Sequence, residues 1–312
     1  MNWVIKLIDR HKPDTELNPF TIDDAVKIYR PKVNVKKDVN PVSARNIICG
    51  SILGDIIGEP YEFANGLFGY KPENKLLYDS NSYTDDTILT LATLDAILHG
   101  NQYDDAYCLW GHKSFSSYGS SFVMWLGMSP EERHPYNSCG NGSAMRVSPV
   151  GVMFDNVDDV IREAYKSASC THNHPEGIQG AIVTAVCVWI AIHGTIEDMF
   201  KYVGKYYNNP RYKEKRFSNS IEVMNKMNSN NELCQGAVPH SFKCLEIAYR
   251  KTGLNDLYMN TMKQVLYANK DTDTMGAIVG AAAAALDPEI NCYELARPYL
   301  TDEMISLLDS VN

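Results

Sequence analysis

The stretch "NIICGSILGDIIGEPYEF" sets Gly50, Gly54 and Gly58 four residues apart. On a helix that spacing puts all three on one face, where a second backbone can approach closely because no Cβ intervenes. Pro60 then ends the helix. A later segment, "MGAIVGAAAAAL" over 275–286, reads as a helix of small residues packed tightly against its neighbours. Between them Ile88, Leu91, Leu94 and Leu98 keep helical spacing, and "PEGIQGAIVTAVCVWIAIHG" opens with Pro175 and closes with Gly194. Strand-like runs are few and short. The pattern predicts an all-α fold of about a dozen helices, from chain length and usual helix size.

The organisation expected is one domain over 46–312, preceded by an extension over 1–45. That extension is polar and Lys-rich ("YRPKVNVKKDVNPVSAR") and is expected to have weak structure of its own. Residues 204–231 read as a polar, Tyr- and Lys-rich surface excursion. No internal repeat is seen.

With 312 residues, 45% of them apolar, the chain can bury a core without disulfides or structural metal. Its eight cysteines are scattered and form no C-x-x-C pair, so neither a zinc ribbon nor a thioredoxin-like site is suggested. Free thiols and a cytoplasmic location are the expectation. A net charge of −9 argues against bulk nucleic-acid binding. The opening "MNWVIKLIDRHKPD" is too short and too charged for a signal or a membrane span. The apolar run 180–194 is shorter than the roughly 20 residues a bilayer needs, and is read as a buried core helix. No membrane partner is expected.

The chemistry-bearing residues begin at "TDDT", residues 84–87. Alone, Thr84, Asp85 and Asp86 make a good helix N-terminus, since threonine caps and acids favour the dipole. "DTDT" at 271–274 repeats the theme directly before another apolar helix. If the two starts converge, Asp85, Asp86, Asp271 and Asp273 repel one another unless cations intervene. An all-oxygen set with hydroxyls from Thr84 and Thr274 suits Mg²⁺ or Mn²⁺, then Ca²⁺. Asp271 and Asp273 are two apart, so sharing a metal requires a backbone not yet helical there. Glu62, just after the Gly/Pro break, is either solvated or a movable general acid/base, with Glu59 its rival.

"SCGNGSAMRVSPVG", residues 138–151, is a glycine-rich turn running into a short helix. It is either a tight turn capped by Asn141 or Ser143, or a turn in which Gly140 and Gly142 let backbone N–H groups reach a phosphate. No G-K-[ST] follows, so it is not a P-loop. "CTHNHPEG" offers His172 and His174 without zinc-ligand spacing. His172 is read instead as a hydrogen-bond donor in the pocket.

In order, G-D-x-x-G-x-x-x-E-F, T-D-D-T, G-N-G-S-A-M-R-V, T-H-x-H-P-E and D-T-D-T resemble the ADP-ribosylglycohydrolase family, across roughly residues 46 to 290. The resemblance implies a compact all-α fold with a two-magnesium site in a central cleft. Thr84, Asp85 and Asp86 would ligate from one side, and Asp271, Asp273 and Thr274 from the other, with Mn²⁺ a possible substitute. Glu62 falls on the catalytic glutamate. The loop from Gly140 through Asn141, Gly142, Ser143 and Met145 to Arg146 falls on the part that wraps the diphosphate and distal ribose. His172 matches a substrate-contacting histidine. One departure is Asn269–Lys270, where the family usually has two glycines; Asn269 tolerates a positive φ more readily than Lys270.

The activity so implied is Mg²⁺-dependent removal of ADP-ribose from a protein or small-molecule acceptor, arginine-linked ahead of serine-linked, by cleavage at the distal ribose. Two alternatives compete. One is a non-catalytic ADP-ribose-binding protein on the same fold. The other is a terpenoid-synthase-like Asp-rich enzyme, for which the D-D-x-x-D register is missing because Leu89 and Thr90 follow Ile88.

Overall fold

The computed structural model describes residues 21–33, 35, 41–62, 75–113, 117–207 and 231–311. They form helices α1 (Ile22–Tyr29), α2 (Ala44–Gly58), α3 (Asp85–His99), α4 (Tyr103–Gly111), α5 (Ser120–Leu126), α6 (Gly142–Met145), α7 (Ser148–Met153), α8 (Val157–Ser169), α9 (Pro175–His193), α10 (Ile196–Tyr207), α11 (Cys234–Thr252), α12 (Leu257–Ala268), α13 (Thr272–Leu286), α14 (Cys292–Ala296) and α15 (Asp302–Asp309). Among the described residues, extended pairing is limited to an isolated antiparallel bridge between Gly140 and Leu233. The fold is all-α, as the periodicity predicts.

The glycine face of α2 meets α13, and no other helix pair among the described residues packs as extensively. A Cβ on Gly50 would lie 2.6 Å from the Gly280 carbonyl oxygen; one on Gly54 would collide with the Gly276 backbone, and one on Gly58 with Thr272 and Asp273. Rising numbers on α2 meet falling numbers on α13, so the pair is antiparallel. Two hydroxyls pin the pair, Ser51 Oγ donating to Ala277 O and Thr272 Oγ1 to Gly58 O, each at 2.8 Å, and Tyr258 Oη of α12 donates to Gly50 O at 2.7 Å. Small side chains bury little apolar area each, so cohesion here rests on close atom-to-atom contact. For function the consequence is positional. The C-terminal end of α2, which leads to Glu62, is held against the N-terminal end of α13, which carries Asp271 and Asp273.

Helix α9 is the long apolar core helix the sequence suggests. An 18-residue window of it has mean hydropathy 1.5, yet 83% of that window is buried inside the protein. One apolar cluster runs from Ala25 to Val311.

The expectation of weak structure over 1–45 does not hold at Ile22–Tyr29. Thr21 and Asp24 form a capping box, Ala25 and Tyr29 are buried, and Tyr202 Oη donates to Tyr29 O at 2.7 Å. The lysine-rich run after it obscured the T-x-x-D start signal and the i, i+4 apolar pair. Residues 1–20 and 36–40 lie outside the described residues, as do 208–230 of the polar excursion.

Candidate metal centre and active cleft

Thr84 caps α3: its Oγ1 accepts from Asp86 N at 3.3 Å. The cap is tied to α2 by Asp55, the one carboxylate of that helix and fully buried. Asp55 accepts from Thr84 N and Thr84 Oγ1 at 3.0 Å each, from Thr87 N at 3.0 Å and from Thr87 Oγ1 at 2.5 Å. So Asp55 fixes the turn that presents Asp85 and Asp86. Sequence reasoning did not assign it a role; the signal available was a lone carboxylate within the apolar run "ILGDIIG" of 52–58.

Asp271 sits at the N-cap position of α13 with φ −73° and ψ 77°, outside the helix, while Asp273 lies inside the first turn. The non-helical backbone expected of both residues is found at Asp271 alone; Asp273 already lies in the helix, and the two carboxylates approach because the cap residue turns out of it. One carboxylate oxygen each from Glu62, Asp271 and Asp273 lie within 4.8 Å of one another. Thr274 Oγ1 donates to Asp86 Oδ2 at 3.3 Å, so the two acidic helix starts share one cleft. Asn269 takes the left-handed conformation, φ 51°, while Lys270 does not. The Asn269–Lys270 pair thus meets its one positive-φ requirement with the residue that tolerates it. Lys270 acts on buried His240, whose pKa burial and this cation push down to about 4.

The cleft's electrostatics are those of crowded acids. Burial first, then Asp273, raises the pKa of Asp55 and Asp85 to about 7. Asp86 and Asp271 are raised well above the usual carboxylate range by the same two causes in the same order. Glu62, half-buried, is pushed up to about 7 by burial and then by Asp273, Asp85, Glu59 and Glu232. Among the described residues no lysine or arginine forms an ion pair with these acids. Asp86 Oδ1 and Asp273 Oδ1 are buried without a hydrogen-bond partner. Orphaned buried carboxylate oxygens within one acidic cleft fit a hard divalent cation, and the absence of sulfur or imidazole from the set disfavours zinc. His174 is spent elsewhere: its Nδ1 accepts from Glu176 N at 3.1 Å, capping α9.

The glycine turn divides by residue. Asn141 Nδ2 donates to Asp271 Oδ2 at 2.7 Å and to Asn231 O at 3.0 Å, so its amide serves the acidic cradle. Gly140 and Gly142 face His172: a Cβ on Gly142 would lie 3.1 Å from His172 Nε2 and one on Gly140 3.5 Å. Ser143 Oγ donates to Gly177 O at 2.8 Å and is turned into α9. Met145 is buried, its Sδ 4.0 Å from Thr274 Oγ1. Arg146 is fully buried, its guanidinium 3.8 Å above the Tyr107 ring. The structure thus brings Glu62, Asn141, Met145 and the two acidic helix starts together, places His172 against the glycines, and sets Ser143 and Arg146 behind the turn.

Known proteins share the fold and part of the sequence. A solved structure titled "ADP-ribosylglycohydrolase-related protein complex" shares the fold, with TM-score 0.60 and 18% identity over 86% of this chain and 98% of that one. The ADP-ribosylhydrolase ARH3 of Gallus gallus is 28% identical over 193 residues, half of this chain and 52% of that protein. The chain spans about half the length of the curated ARH3 relatives it matches first. A putative ADP-ribosyl glycohydrolase of Acanthamoeba polyphaga mimivirus is 24% identical over 298 residues, 78% of this chain and 86% of that protein. The family model described as ADP-ribosylglycohydrolase matches residues 42–289, from the start of the glycine-faced helix to just past the one that covers it, and the chain belongs to that family.

Proposed function

We propose that this chain is a divalent-metal-dependent glycoside hydrolase that releases ADP-ribose from an ADP-ribosylated acceptor. The observation that carries the reading is a half-buried Glu62 with pKa about 7, within 4.8 Å of Asp271 and Asp273 at the mouth of an acidic cradle. Thr84, Asp85, Asp86, Asp271, Asp273 and Thr274 would hold the cation, read as two Mg²⁺ with Mn²⁺ as a substitute. When bound, the cation supplies a Lewis-acidic template for the ribose hydroxyls.

The chain's own residues do the rest. Glu62 moves the proton at its carboxylate, whose pKa burial and the neighbouring acids raise to about 7 in the metal-free protein. The bond between the anomeric carbon and the acceptor breaks through an oxocarbenium-like transition state as water's oxygen bonds to that carbon, and a proton is delivered to the departing acceptor. Asn141 holds Asp271 in place, and Gly140 and Gly142, lacking side chains, let His172 lie close against the turn. The acceptor reading is arginine-linked ahead of serine-linked: Glu59 and the exposed Glu232 both act on Glu62, and an acidic rim suits a guanidinium leaving group.

The test is ADP-ribose release from arginine-linked and serine-linked substrates, with Mg²⁺ and with EDTA. We expect Mg²⁺-dependent release that is faster on the arginine linkage, and loss of about 10²-fold or more in Glu62→Gln. Binding of ADP-ribose without turnover on any linkage would instead support the non-catalytic reading.

A further inference from the structure

Arg146 is a buried cation with no carboxylate partner among the described residues. It is 0% exposed, and its Nε and Nη1 have no hydrogen-bond partner there. Its Nη2 donates to Ser167 O at 2.9 Å and to Thr171 Oγ1 at 2.8 Å. Burying an unpaired charge is expensive, so the contacts it keeps are informative. Thr171 Oγ1 in turn lies 2.8 Å from His172 Nδ1. The same imidazole sets Nε2 against the glycine turn, 3.1 Å from where a Cβ on Gly142 would lie and 3.5 Å from one on Gly140.

We infer that Arg146 is a positioning residue which, through Thr171, holds His172 in the tautomer with its proton on Nε2, making it a fixed donor to an oxygen of the nucleotide over the glycine turn. Guanidinium nitrogens only donate. Thr171 Oγ1 therefore accepts from Arg146, and its own proton is left for a second partner. His172 Nδ1 is in reach, and a bare Nδ1 on a neutral ring requires the proton on Nε2. The competing tautomer would send an Nδ1–H toward the guanidinium and the Thr171 proton to the nearby Tyr136 hydroxyl; Tyr136's ring lies 5.8 Å from that of His172. The positive charge of Arg146 disfavours that arrangement. The same charge, after burial, holds the His172 pKa well below its usual value, which keeps the ring neutral. The donor role rests on the ADP-ribose reading above; the tautomer does not.

The test is nitrogen-detected NMR of the ¹⁵N-histidine-labelled whole chain without ligand, with the His172 signals assigned by His172→Gln. A pyrrole-like Nε2 and a pyridine-like Nδ1 are expected in the wild type. Thr171→Val, which keeps the branched shape and loses the hydroxyl, should give a tautomer mixture and weaken ADP-ribose about fivefold, the worth of one hydrogen bond. Thr171→Ser should restore both. Arg146→Met should match Thr171→Val, which carries the test alone where Arg146→Met does not fold. An Nδ1–H ring in the wild type, or a Thr171→Val protein unchanged in tautomer and affinity, overturns the inference. A wild type that shows the Nε2–H ring but binds no ADP-ribose overturns the donor role and the functional reading, while upholding the positioning by Arg146.

Discussion

Asp273 is the charge that the other acids of the cleft feel: it raises Asp55, Asp85, Asp86, Asp271 and Glu62. Replacing it with the isosteric Asn should relieve that repulsion while removing a metal ligand. Asp273→Asn is expected to stabilise the metal-free protein by about 1 kcal/mol, seen as a Tm rise of a few degrees, and to abolish metal-dependent turnover. A variant that is less stable in EDTA would mean Asp273 is a structural acid. Asn141 acts one step back. Removing the amide that orients Asp271 should weaken Mg²⁺ binding about tenfold or more in Asn141→Ala, measured by calorimetry. Unchanged affinity would confine Asn141 to the turn. These residues differ in how readable they were. Asp85, Asp86, Asp271 and Asp273 sit beside helix starts, where local pattern exposes them. Asp55 binds Thr84 and Thr87 at separations of 29 and 32 residues, and no local pattern encodes that pairing. Likewise "GNGSAMR" reads as a turn running into a short helix, and only the folded chain shows Asn141 meeting Asp271 while Arg146 is buried.

At the scale of elements, the contact between α2 and α13 determines where the acids meet. Gly54→Ala would drive a methyl into the Gly276 backbone, which cannot step aside as a side chain can. We expect a loss of about 3 kcal/mol or more, read from denaturant melts, with metal binding weakened as the two helix ends part. Gly204→Ala is the control. That glycine lies within α10 with nothing within 4 Å of a built Cβ, so the change should stabilise by about 0.5–1 kcal/mol. Equal losses at both sites would refute the close-approach account. Here the sequence was half legible. The i, i+4, i+8 glycines announce a close partner, and 275–286 announces a small-residue helix, but neither names the other. Helix α13 also begins earlier than its apolar run, at Thr272, because the acidic turn itself supplies the first residues. Helix α1 went unread because its cap signal is short and a lysine-rich stretch follows it.

For the whole molecule, the crowded acids make stability depend on pH and on metal. In the metal-free protein Asp55, Asp85 and Glu62 have pKa values near 7, against about 4 in an unfolded chain. Between those values the folded state keeps protons that the unfolded state has released. Stability is therefore fully present below pH of about 4 and declines as pH rises through about 7. Thermal melts in EDTA from pH 5 to pH 8 should show a falling Tm, and saturating Mg²⁺ should cancel most of the fall, because a bound cation favours the ionised carboxylates. A flat profile in EDTA would contradict the raised values. The all-α class was plain from periodicity alone, whereas the joining of residues near 60, 85, 141 and 272 into one cleft depends on tertiary packing that no window of sequence contains. That joining is tested most directly by anomalous diffraction at the manganese edge from crystals grown with Mn²⁺. The account predicts anomalous peaks bounded by Asp85 and Asp86 on one side and by Asp271 and Asp273 on the other. Manganese bound elsewhere, or those two pairs of aspartates held apart with no peak between them, would contradict it.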